Sequence, residues 1–484
     1  MARILVANID NENMLADERA FTPDFRRSSS ITAGRMAWFA GPGDIVVVPR
    51  DLSPDFKAYM ARVKGYAPDA VAYVTPDWAG APFRPLGTQE LLRLGLPARL
   101  QRLMRGRGDW SLLAYCHERG AQLLAEALGI EAAGGRRGFL REGGAELLND
   151  KRVFRSLAAG RGVPIAEGMV CDDPRALEAG IRALIDRTGA VIVKQDRHSG
   201  GLGNLIVSRV GSTGRLGATD VISVSNATAI ADAAAIVWSR LAYLARVPLV
   251  VEAYYEVSAV VTAEFHVDAG ANAVRFLNCG EVRQAPILSG LIMPWSLSPY
   301  AGGAFIAAAT ELARLTCDLG YGGLINVDGI VTGDGAIVIN EFNGRIGGCS
   351  HIHHILQAIA GEGYGERLVV ASHSRDTAAG FSQIVDILAQ RRLGFDPETG
   401  RGIILTAEDC AESGFIEYLS VAPTRSEAFQ LEAAFEMLLA GLGAAAPGVG
   451  HLANILAHLP AIEGTPPTEA GRKATALRGK TGKS

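Results

Sequence analysis

Four polar residues occupy positions in a predicted β-hairpin where their side chains could bind a metal ion and an anion. Two apolar runs flank a Gly-Asp-Gly turn at 333–335, which supplies the positive φ that tight hairpins need. Asp328 lies in the first run, and three further residues alternate at the end of the second: Glu341, Asn343 and Arg345. Alternate residues of a strand share a face, so these side chains should lie together. Two carboxylates and an amide oxygen suit Mg²⁺, and an arginine beside them can hold an anion.

The alternative without a functional role is a half-buried hairpin with a solvated polar face, since carboxylates at strand ends are common on surfaces. However, an Asp followed after thirteen residues by Glu-x-Asn-x-Arg resembles the metal-binding signature of the ATP-grasp ligases. That family has a two-lobed fold that clamps ATP between antiparallel sheets. The resemblance implies that Asp328, Glu341 and Asn343 bind Mg²⁺. It also implies that Arg345 holds an acylphosphate or a tetrahedral oxyanion.

A second motif, upstream, combines a lysine in an apolar strand with a glycine-rich loop. Lys194 follows four apolar residues, where a charged amine is costly unless it meets an anion or water. The next loop contains Gly200, Gly201 and Gly203, whose backbone N–H groups can wrap phosphate oxygens. This arrangement resembles the phosphate-binding loop of ATP-grasp enzymes. Lys151, at a predicted helix start, resembles a second lysine that reaches the nucleotide phosphates there; a solvated surface charge is the alternative.

An apolar strand that runs into Glu252, Tyr254 and Glu256 resembles the hinge between the two ATP-grasp lobes, near residues 250–256. The resemblance implies that Glu252 and nearby backbone groups receive the adenine amino group. It implies that Glu256 accepts the ribose hydroxyls and that Tyr254 belongs to the same ATP-binding set.

Three further residues are predicted at the site, each with an alternative. Arg283 stands near the place of a basic residue that in related ligases meets the charge of the transferred phosphate; a surface arginine fits the sequence equally. Ser350 and His351 are candidates for the substrate pocket because they closely follow the predicted hairpin that ends at Arg345. The run of His351, His353 and His354 could instead bind a transition metal, although no matching ligand cluster is visible elsewhere in the sequence.

The order of predicted elements divides the chain into parts. Apolar runs at residues 4–7, 45–48 and 70–74 predict a Rossmann-like α/β domain of parallel strands. No G-x-G-x-x-G motif follows the first run, so a dinucleotide site is not evident. Many ATP-grasp enzymes carry such a domain in front of the clamp; the resemblance implies that it helps hold substrate, and a purely structural domain is the alternative. Residues 110–135 are predicted to be helical. The predicted parts are a pre-ATP-grasp domain (1–120), the ATP-grasp clamp (121–373), a small C-terminal α/β domain (374–462) and a disordered tail (463–484).

The composition of this 484-residue chain predicts a soluble, cytoplasmic protein. A net charge of −4 gives no reason to propose nucleic acid as a partner. The six cysteines form no C-x-x-C pair, which argues against structural zinc or a disulfide scaffold and fits a reducing cytosol. Two long uncharged stretches, 285–310 and 437–462, are interrupted by prolines or glycines, so no membrane partner is predicted.

The ordered landmarks resemble ATP-dependent carboxylate–amine ligases, and residues 340–353 look most like pheganomycin-type peptide ligases with a pre-ATP-grasp domain. The resemblance implies ATP and Mg²⁺ as cofactors. It implies that an amino-acid carboxylate is activated as an acylphosphate and joined to the amine of a peptide or amino acid, in the biosynthesis of peptide antibiotics. A homodimer is a further expectation. The alternatives are a small-molecule kinase, which would use the clamp on a hydroxyl, and a non-catalytic nucleotide-binding regulator.

Overall fold

The chain folds into three β-sheets with helices packed against them, as a computed structural model shows. The structure describes residues 1–15, 22–93, 95–106, 108–198, 201–209, 216–218, 220–242, 248–284 and 287–443. Among these residues, none of the helices combines the length and the apolarity that a membrane crossing requires.

The N-terminal sheet has five parallel strands in the order β3-β2-β1-β4-β5. Its strands are β1 (Ala2–Val6), β2 (Ile45–Val47), β3 (Ala72–Val74), β4 (Trp110–Ala114) and β5 (Glu131–Ala132). Its helices are α1 (Pro23–Gly34), α2 (Pro54–Lys64), α3 (Thr88–Leu92), α4 (Leu96–Met104) and α5 (Arg119–Leu128). Neighbouring residues Leu5 and Val6 belong to different apolar cores, because alternate side chains point to opposite faces. The strand order reverses between β1 and β4, and such a switch point creates a crevice at the carboxyl ends of the strands.

The prediction that residues 110–135 are helical is wrong for the first part of this segment. Trp110–Ala114 is a buried strand that pairs with β1 from Ala2 to Val6. A short apolar run cannot be assigned to strand or buried helix by periodicity alone, and pairing with β1 decides the matter here. The predicted boundary after residue 120 falls inside α5.

The second sheet has five strands and lies within the segment predicted to form the clamp. Short helices α6 (Arg137–Arg141) and α7 (Gly144–Leu147) lead to α8 (Lys151–Gly160), which Asp150 caps by accepting hydrogen bonds from the backbone N–H groups of Arg152 and Val153. The strands, in the order β6-β10-β7-β8-β9, are β6 (Gly168–Cys171), β7 (Ala190–Gln195), β8 (Asn204–Arg209), β9 (Asp220–Val224) and β10 (Leu249–Ala253). Helices α9 (Pro174–Thr188) and α10 (Ala227–Leu241) contribute to its core.

The third sheet has eight strands in the order β15-β14-β11-β12-β13-β16-β18-β17. They are β11 (Val257–Asp268), β12 (Ala273–Gln284), β13 (Leu288–Met293), β14 (Gly323–Thr332), β15 (Ile337–Asn343), β16 (Val369–Asp376), β17 (Gly402–Asp409) and β18 (Phe415–Ala422). The accompanying helices are α11 (Pro299–Leu319), α12 (Ser350–Ala360), α13 (Phe381–Gln390) and α14 (Arg425–Gly441). The hairpin β14–β15 lies at one edge of this sheet. Its tight turn is possible because Gly335 adopts a φ of +87°, which glycine tolerates.

The C-terminal segment adds strands to the third sheet, and its predicted division from the clamp as a separate domain stays a prediction. The predicted boundary between residues 373 and 374 falls inside β16, which pairs with β13 on one side and β18 on the other. One core contains Trp38 from the N-terminal part, Ile352 from α12 and Leu419 from β18. These segments therefore share one apolar interior. The predicted disordered tail lies outside the described residues.

Candidate active site

The β14–β15 hairpin brings its predicted polar residues together. Asp328 on β14 lies opposite Glu341 on β15, with a register shift between Asp328 and Gly329. The Asn343 amide Nδ2 donates to Asp328 Oδ2 at 2.9 Å, and Arg345 Nη2 donates to Asn343 Oδ1 at 2.9 Å. The alternating spacing at the end of β15 thus produces the shared face that the sequence predicts.

Lys151 joins the first turn of α8 to this hairpin. Its Nζ lies 3.0 Å from Glu341 Oε2 and donates to the backbone oxygen of His198 at 3.1 Å. The pocket at this junction is lined by Met14, Asn149, Asp150, Lys151, Phe154, His198, Glu341, Phe342, Asn343 and Arg345. A basic residue of the helix and an acidic residue of the hairpin therefore face one cavity.

The buried Lys194 finds its anion in Glu252. Their strands β7 and β10 are neighbours, and Lys194 Nζ lies 2.6 Å from Glu252 Oε2. The other carboxylate oxygen of Glu252 lies 2.5 Å from Nη1 of Arg155, one turn along α8 from Lys151. All three side chains are at most one-tenth exposed. The ion cluster places one lysine and one glutamate of the predicted ATP-binding set in direct contact.

Electrostatics separate the two carboxylates of the hairpin. Burial raises the pKa of Asp328 to about 6, and the neighbouring Glu341 carboxylate adds to the rise. Burial opposes the charge of Glu341 too, but the ammonium groups of Lys151 and Lys194 hold its pKa below the ordinary value. Glu341 is therefore charged at neutral pH because the two lysines lie close to it. For Asp328, hydrogen bonds from Thr262 and Asn343 and the charge of Arg345 offset the burial only in part, so its charged form would gain from a bound cation.

The donor set fits the predicted magnesium site by its chemistry, since Asp328, Glu341 and Asn343 offer the hard oxygen atoms that Mg²⁺ prefers. The glycine-rich loop has two positions where glycine is required by conformation or by close packing. Gly201 has a φ of +82°, and a Cβ on Gly203 would lie 2.7 Å from the Gln195 Oε1 atom. Only glycine is tolerated at these two positions without strain. Gly200 lies outside the described residues.

The hinge residues Tyr254 and Glu256 lie beyond the end of β10. The Tyr254 hydroxyl bonds to both the backbone N–H and the backbone oxygen of Leu216, each at 3.1 Å. Glu256 is exposed beside the β14–β15 turn, where its backbone oxygen accepts from the N–H of Gly333 at 2.9 Å. Their predicted contacts with ATP stay predictions.

Arg283 is not among the residues that line the pocket. It forms a paired ion contact with Glu432 of α14, with Nη1–Oε2 at 2.7 Å and Nη2–Oε1 at 2.8 Å. Glu432 lies with His373 and Glu436 in a group whose possible ligand atoms are within 4.8 Å of one another, but Glu436 is also paired, with Arg375. Arginines thus already satisfy both carboxylates, and the sequence could not reveal this because Glu432 is far along the chain.

Ser350 and His351 are buried and bound to acidic residues of the large sheet. The Ser350 hydroxyl bonds to Glu264, and His351 Nε2 lies 3.2 Å from Glu417 Oε1. The other two histidines of the run have separate neighbours, since His353 Nδ1 bonds to the Tyr364 hydroxyl and His354 packs on Phe39. The described contacts therefore give the three histidines three different environments.

Sequence reasoning did not predict two residues that contact predicted site residues, Tyr115 beside Arg345 and Arg155 beside Glu252. Tyr115 follows β4, and its hydroxyl lies 3.4 Å from Nη1 of Arg345. The predicted helix over residues 110–135 does not place Tyr115 at a strand end, where ligands of α/β sheets bind. Arg155 could have been found, because residues four apart on a helix share a face and Lys151 was already predicted at the site.

Comparisons with known proteins agree with this architecture. Residues 33–130 match the family described as the Pre ATP-grasp domain, and residues 383–435 match the PGM1 C-terminal domain. No curated protein matches the chain.

Several solved structures are similar to the chain over most of their length. The ADP complex of purK, an N5-carboxyaminoimidazole ribonucleotide synthetase, gives a TM-score of 0.53 at 12% identity, covering 90% of this chain and 96% of that chain. Biotin carboxylase from Campylobacter jejuni, in a β,γ-ATP complex, gives 0.53 at 13% identity, covering 88% and 89%. The biotin carboxylase domain of the Hydrogenobacter thermophilus 2-oxoglutarate carboxylase gives 0.52 at 16% identity, covering 89% and 88%. These likenesses and the Pre ATP-grasp match confirm the predicted fold class, an ATP-grasp fold preceded by a Rossmann-like domain.

Proposed function

We propose that this chain is an ATP-dependent carboxylate–amine ligase. The observation that carries the proposal is the contact of Lys151 with Glu341, which joins the predicted phosphate lysine to the predicted metal hairpin in one pocket. The similar solved structures add support, because several of them hold ADP or an ATP analogue, and one holds magnesium with ADP.

In the proposed reaction, a substrate carboxylate oxygen attacks the γ-phosphorus of ATP and ADP leaves. An amine then attacks the acyl carbon, phosphate leaves, and an amide bond forms. Lys151 and Lys194 would bind the triphosphate, and Asp328, Glu341 and Asn343 would hold Mg²⁺. Mg²⁺ bound there supplies positive charge against the phosphate oxygens. Arg345 would bind the transferred phosphate, since its guanidinium can make two parallel hydrogen bonds to an anion.

The finer proposal is that the carboxylate belongs to an amino acid and the amine to a peptide or amino acid, in peptide natural-product biosynthesis. It is supported by the amino-acid sequence of residues 340–353, which resembles that of pheganomycin-type peptide ligases. We further propose a cytoplasmic homodimer, in keeping with the dimer described for the Hydrogenobacter biotin carboxylase domain. Light scattering of the full chain tests the dimer.

The test of the reaction is ADP and phosphate release from MgATP with a panel of amino acids, with and without short peptides as amine donors, followed by mass spectrometry. A ligase requires both substrates and gives a product one water lighter than their sum. A product heavier by one phosphoryl group, formed without an amine, would identify a kinase. Nucleotide binding without turnover on any pair would favour the regulator.

A further inference from the structure

The loop between β15 and α12, residues 344–349, carries Arg345 and is fixed from several sides. The N–H of Ile346 donates to the backbone oxygen of Tyr115 at 2.9 Å, and the N–H of Gly347 donates to Ser350 Oγ at 2.8 Å. A Cβ on Gly347 would lie 1.5 Å from Asn326 Oδ1, so the loop packs tightly against β14 as well.

Arg35 of the N-terminal domain adds a contact from the other side of this loop. Arg35 follows α1 directly, and its guanidinium makes two contacts. Nη1 donates to the backbone oxygen of Gly348 at 2.9 Å, while Nη2 forms an ion pair with Glu417 of β18. The Arg35 side chain is 20% exposed and that of Glu417 only 9%. The guanidinium of Arg35 therefore connects the end of α1 with the 344–349 loop and with β18, three segments that are far apart in the sequence.

The Glu417 carboxylate is held in place by partners other than Arg35. Its Oε1 accepts from the Thr406 hydroxyl at 2.6 Å and lies 3.2 Å from His351 Nε2, at the start of α12. Burial opposes its charge, yet the Arg35 guanidinium holds the pKa of this carboxyl at about 2. A buried charge pair with additional hydrogen bonds tolerates little rearrangement, because each charge depends on its partner.

We infer that Arg35 is a positioning residue that sets the location of Arg345 by holding the loop at Gly348 against Glu417; this inference rests on the proposed role of Arg345 as the anion-binding residue. Tyr115 also helps to position Arg345, since its hydroxyl lies 3.4 Å from Arg345 Nη1. The N-terminal domain thereby acts on the anion site of the clamp without contributing a charge to it. Positioning of this kind matters because small displacements of a binding group weaken its hydrogen bonds steeply.

The test measures binding of inorganic phosphate to the full-length protein saturated with MgADP, by calorimetry, together with the affinity for MgADP itself. The variants are Arg35→Lys, Arg35→Met and Arg345→Met. A lysine can keep the charge pair with Glu417 but offers no second nitrogen for Gly348, so Arg35→Lys separates positioning from charge. Arg50→Met is the matched control, because Arg50 pairs with Asp409 of β17 at 2.6 Å and is similarly exposed, at 24%.

Both Arg35 variants should raise the dissociation constant for phosphate about tenfold, the size of effect expected for one lost hydrogen bond that involves a charged group. MgADP affinity should change less than about twofold in either variant. Arg50→Met should change neither constant, since the described contacts of Arg50 are with Asp409 and Glu412 and not with the loop. Should Arg35→Met fail to fold, Arg35→Lys carries the test alone.

Phosphate affinity equal to wild type in Arg35→Lys would overturn the inference and leave the proposed function intact. An equal loss in Arg50→Met would overturn it too, since the effect would then be general. Phosphate binding no stronger in wild type than in Arg345→Met would remove Arg345 as the anion residue. A wild-type protein that does not bind MgADP would instead overturn the proposed function.

Discussion

Replacement of Glu417 by glutamine should destabilise the protein in a pH-dependent way. The pKa of the carboxyl is about 2 in the folded protein against an ordinary value of 4.5. A folded-state pKa below the unfolded value means that the charged form is stabilised. The contribution is present above pH 4.5 and is lost as the pH falls towards 2. The difference corresponds to about 3 kcal/mol of unfolding free energy at pH 7, of which roughly half remains near pH 3.

Urea unfolding of wild type and Glu417→Gln at a series of pH values tests this reasoning. The gap between the two proteins should be near 3 kcal/mol at pH 7, within the range for breaking a buried ion pair, and should shrink below about pH 4.5 as the wild-type carboxyl takes up a proton. Glu167→Gln is the control, since Glu167 and its partner Arg187 are more than half exposed and such pairs contribute about 0–1 kcal/mol. A gap below about 1 kcal/mol at pH 7, or one that does not respond to acid, would refute the assignment.

Three further predictions concern the site and its support. Glu341→Ala should lower turnover by at least about a hundredfold with an unchanged circular dichroism spectrum, because a metal ligand is lost; the exposed Glu362→Ala is its control, and near-full activity would exclude the metal assignment. Lys194→Ala should weaken MgADP binding about tenfold by calorimetry, and unchanged affinity would remove this lysine from the site. Gly347→Ala should destabilise the protein by about 1–3 kcal/mol in urea unfolding, since its Cβ would meet Asn326. Gly303→Ala, in α11 with open space around it, should instead stabilise by up to about 1 kcal/mol; equal effects would contradict the packing argument.

The position of the β14–β15 hairpin could be predicted because the sequence pattern that specifies it is local. Two apolar runs and a Gly-Asp-Gly turn determine a hairpin, and the alternation of a strand then places Glu341, Asn343 and Arg345 on one face. Lys194 was recognisable for a related reason, since a charge within a buried strand requires a partner wherever the strand is placed. The three apolar runs of the N-terminal part gave parallel strands on the same grounds.

Tertiary structure alone decided which partners these and other charged groups received. Arg283 lies 149 positions from Glu432, and His351 lies 66 positions from Glu417, distances over which no local pattern carries information. The same holds for β16, whose pairing with β13 and β18 merges the C-terminal segment with the clamp. A strand can pair with any free edge that offers backbone groups, so its neighbours follow from the burial of the whole sheet. The sequence by itself therefore determined which polar side chains share one face of the hairpin. The contacts that support Arg345 became visible only once the end of α1, the end of β4, the loop after β15 and strand β18 had been brought together in space.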